Sequence, residues 1–231
     1  MFKELINALR RKDVINELVG EVAQMLEIGQ WMFERAAETL MTEADWDAMA
    51  DELYSRDRRI NEIEQRVRER IVTYLSITDR SDLTGCLVLM SVVKDAERIG
   101  DYCKNIFEVG RFYRRAFAHP EYASTLEDIR AHTGPLFERA KVALAEADRD
   151  LAYQVLDKAG KQRGRCDVVI RQLLQVHTQM APDEAVAYVL LARFYKRVAA
   201  HLANIATSVV SPVPMIDYGG KRLPENADDS E

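Results

Sequence analysis

The sequence predicts an all-α protein in which six long helices form two repeated three-helix bundles. Proline (6) and glycine (10) are scarce among the 231 residues, and the good helix formers Ala, Leu, Glu, Arg and Met are abundant. Apolar residues recur every three or four positions over long stretches, which is the spacing of one helix face. Hydrophobic residues make up 48% of the chain and charged residues 30%, so a sizeable core is expected.

Local signals bound each helix. Asp13 is a candidate N-cap for the first helix, and residues 42–45 are a stop followed by a new capping sequence. The third helix must end before Pro120, whereas the Gly-Pro pair at 134–135 predicts a kink or interruption in the fourth. A break at 181–183 precedes the sixth. The expected helices, with approximate ends, are 13–41, one from 42–45 to 77, 82–117, 121–146, 148–180 and one from 182 to 210.

The two halves of the chain carry a faint internal repeat. Arg98-Ile99 followed by Asn105-Ile106 matches Arg197-Val198 followed by Asn204-Ile205, 99 residues further on. A looser match one helix earlier supports the same period, which suggests a duplicated three-helix unit. The expected division is a first repeat at 1–118, a diverged second repeat at 119–210 and a disordered acidic tail at 211–231.

Charge and composition exclude several classes of protein. The net charge is −6 and the pI about 5.4, so the basic footprint of a nucleic-acid-binding protein is absent. Three widely spaced cysteines without a C-x-x-C pair predict reduced thiols in a cytoplasmic protein. No signal peptide is visible in the first residues, and no apolar run approaches the ~20 residues of a membrane span. We expect a soluble cytoplasmic protein that can still dock at the inner face of the membrane.

The most informative stretch is the helical segment at 95–106. It places Glu97 and Asp101 four residues apart on one helix face, with Asn105 one turn further along. Like charges at this spacing repel one another unless a cation lies between them. Carboxylates and an amide, with no His or Cys on the same stripe, form a hard-oxygen ligand set.

This segment resembles the signature of the PhoU family, helical regulators of phosphate uptake whose repeats carry an E/D-x-x-x-D motif. Glu97-Arg98-Ile99-Gly100-Asp101 and Asn105-Ile106 carry the resemblance, with Arg98, Gly100 and Asn105 supporting the acidic pair. The resemblance implies two side-by-side three-helix bundles. It also implies a non-catalytic regulator of phosphate uptake and phosphate signalling. Such a regulator docks onto a phosphate transporter or its sensor histidine kinase at the membrane, and a homodimer is an open alternative to a monomer.

The second helix offers further oxygen ligands. Asp57, Asn61 and Glu64 project from one face, which can meet Glu97 and Asp101 across an antiparallel groove. The resemblance implies iron, zinc or magnesium at this face, whereas oxygen ligands alone favour magnesium, manganese or calcium. The alternative is a set of ion pairs in which Lys94 or Arg98 neutralises Glu97 and Arg58 pairs with acids across the groove. Gly100 permits the close approach of a neighbouring helix.

The second repeat has diverged at the same positions. Lys196 stands where Glu97 stands, Ala200 replaces Asp101 and Lys161 replaces Asn61. A metal site is therefore expected in the first repeat only.

Two classes of function follow. The first is a docking module without chemistry of its own. The second is a metal-dependent helical hydrolase that uses the same carboxylate face. The sequence contains no His-Glu-x-x-His, phosphate-binding Gly-Lys-Ser/Thr loop or Gly-x-Ser-x-Gly motif, which favours the docking module.

Overall fold

The protein is all-α, as predicted. The structure, a computed structural model, describes residues 2–38, 46–78, 82–175 and 180–217, with side chains from Val14 onward. These ranges hold six α-helices and one short 3₁₀ helix, and no β-strand. The elements are α1 (Phe2–Glu38), α2 (Trp46–Ile77), α3 (Leu83–Tyr113), α4 (Pro120–Glu146), α5 (Arg149–Gln175), α6 (Pro182–Val210) and the 3₁₀ turn (Val213–Met215). None of the described helices is long and apolar enough to cross a bilayer.

Consecutive helices pack against one another within each half. Between α2 and α3, the Tyr54 hydroxyl donates to Glu108, and Glu64 lies across from Lys94, so residue numbers rise along one helix as they fall along the other. This antiparallel packing recurs between α5 and α6, where Lys196 pairs with Asp167. The arrangement matches two three-helix units, α1–α3 and α4–α6.

The two halves share one hydrophobic core. Contacts between α1 and α4 and between α3 and α6 join them. Phe33 of α1 stacks near Phe137 of α4, with ring centroids 5.6 Å apart, and lies edge-on to Tyr195 of α6 at 5.5 Å. Because aromatic rings of the two halves pack against one another, each half needs the other to bury its inner face.

Several expected boundaries are corrected. Helix α1 begins at Phe2, so Asp13 lies within a helix rather than at its cap, because the preceding residues lack Gly and Pro. Helix α3 ends at Tyr113, four residues early, because Arg114 adopts a left-handed conformation (φ 44°) and its amide donates to Gly110. Helix α4 continues through Pro135 without interruption, since residues on both sides of it are buried. Helix α5 ends at Gln175. The predicted junction around 41–45 lies outside the described residues.

The beginning of the predicted tail is folded. Residues 213–215 form the 3₁₀ turn, and Ile216 is buried. The Asp217 amide donates to the Thr207 hydroxyl at 3.1 Å, and the Ser91 hydroxyl lies 3.5 Å from the Asp217 carboxylate. Residues 211–217 therefore close over α3 and α6, whereas the remainder of the predicted tail lies outside the described residues.

Candidate functional site

The acidic face lies where Gly100 of α3 closely approaches α2. A Cβ atom on Gly100 would lie 3.0 Å from the Ile60 Cδ1 and 3.6 Å from an Asp57 oxygen. Glycine is thus needed for this approach without displacement of Ile60, as expected from the sequence. The close contact brings Asp57 of α2 beside the carboxylates of α3.

One lysine, Lys104, bridges Asp57 and Asp101 on this face. The Lys104 ammonium lies 2.8 Å from an Asp57 oxygen and 3.1 Å from an Asp101 oxygen. Burial alone would lower the pKa of Lys104, but its hydrogen bonds to the two carboxylates outweigh burial and raise it. The Asn61 amide is a more distant neighbour, 3.5 Å from Asp57. Lys104 therefore stays charged between the two acids.

A second lysine, Lys94, lies between Glu64 and Glu97. The Lys94 ammonium lies 2.9 Å from Glu97 and 3.8 Å from Glu64. Burial raises the pKa of Glu97, and the nearby charges of Asp101 and Glu64 add to that effect, whereas Lys94 opposes it. The carboxylates of α3 and Glu64 are thus close enough to repel one another, and Lys94 offsets part of that repulsion.

The structure brings the predicted residues to one groove, with cations between them. Arg98 pairs with Asp101 at 3.3 Å and lies 3.7 Å from Glu97. Asn105 lies apart, on the side of α3 that faces α6, because four-residue steps drift around the helix. The face carries four carboxylates and four cations: Asp57, Glu64, Glu97 and Asp101 with Arg68, Lys94, Arg98 and Lys104.

This arrangement does not fit a metal ion. The donor atoms are oxygens of the right kind, but ammonium groups lie between the carboxylates that would have to converge. Across the described ranges, no group of three or more His, Cys, Asp or Glu is placed to hold a metal. The sequence-based metal site stays a prediction.

Sequence reasoning missed a buried polar network between α3 and α6. The His201 Nδ1 lies 2.6 Å from an Asp95 oxygen, and the Asn204 amide donates to that oxygen at 3.0 Å. On the other side, His201 stacks on Tyr102 with ring centroids 5.6 Å apart. Arg197 donates to the Tyr102 hydroxyl at 3.1 Å. The available signal was the repeat itself, since Tyr102 and His201 are one 99-residue period apart.

An apolar groove opens at the other end of the α3–α6 contact. Its volume is about 560 Å³. Phe112, which is 78% exposed, and the exposed Val186 and Leu190 line it. Arg115 and Asp183 form an ion pair of 2.7 Å at its edge. No sequence motif marked this groove, because it needs the two helices to be placed side by side.

The fold defines a protein of two repeated three-helix units, and comparison with known proteins gives its family. The PhoU domain model matches residues 22–109 and 126–209, one match for each three-helix half. The chain belongs to the PhoU family.

Relatives in the family support the same assignment. The "Phosphate-specific transport system accessory protein PhoU homolog 1" of Thermotoga maritima is 26% identical over 203 residues, covering 84% of each chain. A Xylella fastidiosa protein named as the corresponding PhoU homolog is 24% identical, covering 86% of this chain and 82% of its own.

Solved structures share the fold. The crystal structure of PhoU from Pseudomonas aeruginosa superposes with a TM-score of 0.77 at 21% identity, covering 90% of this chain and 99% of that one. The phosphate transport system regulatory protein PhoU from Streptococcus pneumoniae superposes with a TM-score of 0.69 at 20% identity, covering 89% and 98%. The two-bundle architecture implied by the resemblance is thereby confirmed.

Proposed function

We propose that this protein regulates phosphate uptake and phosphate signalling by docking onto a phosphate transporter or its sensor kinase, without catalysis of its own. Family membership supports the phosphate system, because the relatives are named as accessory or regulatory proteins of phosphate transport. The structural observation that carries the docking step is the open apolar groove between α3 and α6.

The internal repeat gives this open groove a closed counterpart elsewhere in the protein. Helices α3 and α6 run antiparallel, and a 99-residue offset relates them, so their contact has two equivalent ends. At one end, Asp217 meets Ser91 and Thr207, and the chain's own segment 212–217 closes the surface. The positions equivalent to Ser91 and Thr207 are Leu190 and Glu108, and both line the open groove.

The occupant is therefore expected to resemble the segment that closes the other end. That segment, Pro212-Val213-Pro214-Met215-Ile216-Asp217, is short, mostly apolar and held by few backbone hydrogen bonds. We propose that the groove receives a short apolar segment of the transporter or kinase. Burial of Phe112 and its neighbours is the main source of affinity, since association is driven largely by apolar area removed from water.

Phosphate uptake in the native cell tests the proposal. The native gene is deleted, or replaced by Phe112→Asp, and uptake of labelled phosphate and the starvation response are measured in rich and poor phosphate. The deletion is expected to change both, and Phe112→Asp is expected to reproduce the deletion. The matched control is Val168→Asp, an exposed apolar position on α5 outside the groove.

The two strains test the regulatory function and the role of the groove separately. Normal uptake and a normal starvation response in the deletion strain would defeat the proposed function. An altered deletion strain together with a wild-type-like Phe112→Asp strain would keep the function and reject the groove. Circular dichroism of both purified variants controls for folding.

A further inference from the structure

We infer that the acidic face between α2 and α3 is built to hold internal lysine ammonium groups in place of a metal ion, with Lys104 as the cation of Asp57 and Asp101 and Lys94 as the cation of Glu64 and Glu97. The inference rests on the geometry of the face and does not depend on the docking proposal.

The position of the ammonium nitrogen is the first argument. Lys104 Nζ lies 2.8 Å from Asp57 and 3.1 Å from Asp101, which are hydrogen-bonding distances to both acids at once. A hard cation would need the same oxygens at about 2.0–2.6 Å, from a point between them. The ammonium already occupies that point, so a metal ion can bind these two acids only if Lys104 leaves.

Charge balance is the second argument. Each carboxylate of the face has a cationic partner on α2 or α3, and the pairs sum to no net charge. A divalent ion binding there would either leave an excess of positive charge or expel two cations into water. The pairs are Asp57 with Lys104, Glu64 with Arg68, Glu97 with Lys94 and Asp101 with Arg98.

The second repeat is the third argument. There Lys196 stands at the position of Glu97 and pairs with Asp167 of α5 across the equivalent groove. As in the pairs Lys104–Asp57 and Lys94–Glu64, the lysine lies on the third helix of the repeat and the carboxylate on the second, so the groove is again bridged by a lysine and a carboxylate. Each repeat thus joins its second helix (α2 or α5) to its third (α3 or α6) by the same kind of lysine–carboxylate pair. A metal site in the first repeat alone does not explain this similarity.

Burial makes the inference testable. The side chains of Lys104 and Asp57 are only 23% and 10% exposed. Removing the ammonium leaves the nearly buried Asp57 without a cation, beside an Asp101 carboxylate that keeps only Arg98, which is a costly state. A metal ion supplied from solution can relieve it. Lys104→Met, which keeps most of the aliphatic stem, is therefore expected to create a cation site that the wild type lacks.

The experiment uses the full-length protein and metal salts as probes. Wild type, Lys104→Met and the control Lys161→Met are titrated with MnCl₂ and MgCl₂ by calorimetry. Metal retained after dialysis against Mn²⁺, Zn²⁺ or Fe²⁺ is measured by mass spectrometry. The control removes a lysine from an exposed pair with Asp157 in the second repeat. Lys104→Met is expected to bind Mn²⁺ at least about tenfold more tightly than the wild type, and addition of Asp101→Asn is expected to abolish that gain.

Two results would overturn the inference. One is a wild-type protein that retains one equivalent of metal and loses it in Glu97→Gln with Asp101→Asn. The other is a folded Lys104→Met protein whose Mn²⁺ binding equals that of Lys161→Met. If circular dichroism shows that Lys104→Met does not fold, the wild-type measurement still decides. Lys94→Met, at a more exposed lysine, then replaces it with the same expected gain.

Discussion

Substitution of Glu184 tests how the two repeats are joined. Glu184 lies in the first turn of α6 and is 2% exposed. Its carboxylate accepts hydrogen bonds from the backbone amides of Ala118 at 2.6 Å and His119 at 3.1 Å, and the His119 Nδ1 lies 3.0 Å away. The Tyr188 hydroxyl donates to the His119 carbonyl at 2.8 Å. One buried carboxylate thus fastens the link between α3 and α4 to the start of α6.

The expected loss follows from those bonds. A hydrogen bond to a charged group contributes about 1.5–3 kcal/mol. Three such bonds are lost in Glu184→Ala, but water can reach part of the link because Ala118 is exposed. We therefore expect a loss of about 3 kcal/mol in the free energy of unfolding. For a chain of this length, that corresponds to a fall of roughly 6–12 °C in Tm.

Thermal unfolding followed by circular dichroism measures the effect. Glu184→Gln keeps an acceptor for the amides and is expected to lose less than Glu184→Ala. The neighbouring Asp183→Ala removes an exposed ion pair and one hydrogen bond from the Glu184 amide, while leaving the Glu184 carboxylate in place, and serves as the matched control. A Tm for Glu184→Ala within 2 °C of that of Asp183→Ala, on the order of 0.5–1 kcal/mol, would refute the reasoning.

The same carboxyl gives a pH dependence with a defined sign. Burial alone would raise the pKa of Glu184, but the hydrogen bonds from the His119 ring and the two amides outweigh it and hold the pKa below its ordinary value of 4.5. A lowered pKa in the folded state means that the ionised carboxyl stabilises the fold above pH 4.5. That contribution is lost as pH falls through the folded value. The stability gap between wild type and Glu184→Gln should therefore shrink in acid.

Two further predictions concern buried groups. Asp95→Ala leaves the His201 ring and the Asn204 amide without their shared acceptor. Urea unfolding should therefore show that the free energy of unfolding falls by about 2–4 kcal/mol. A smaller fall than that caused by Ser91→Ala would contradict the network. Burial raises the pKa of the Cys103 thiol far above its ordinary value and the pKa of Cys166 to about 12. Neither thiol should therefore react with a thiol reagent at pH 8 until guanidinium unfolds the protein. Labelling of either cysteine in the native state, detected by mass spectrometry, would contradict the structure.

Most of the fold could be predicted because helix periodicity is a local property. Apolar spacing and sparse Pro and Gly were enough for six helices, and the ends at 77, 146 and 210 agree with the structure. Errors arose where local signals compete with burial. Asp13 has the chemistry of a cap, yet nothing before it stops the helix. Pro135 removes an amide, yet buried neighbours hold α4 together.

The sequence grouped most residues of the acidic face but left their chemistry open, and the metal site stays a prediction. Spacing placed Asp57, Glu97 and Asp101 on facing helices, and the structure brings them to one groove. The sequence also offered Lys94 and Arg98 as neutralising partners, and both pair with Glu97. It could not assign Lys104, because a bridge to Asp57 depends on how closely α2 and α3 approach at Gly100.

The sequence by itself determined the helices and the acidic stripe, because each depends on residues within a few turns of one another, and it determined the duplication because the same local pattern recurs after 99 residues. Tertiary structure alone decided what joins the repeats: the Asp95–His201 pair, the Glu184 anchor and the folded segment 212–217. It also decided that one end of the α3–α6 contact is closed and the other open. Such contacts link residues tens to more than a hundred positions apart, and their energies depend on the distance and burial that packing creates.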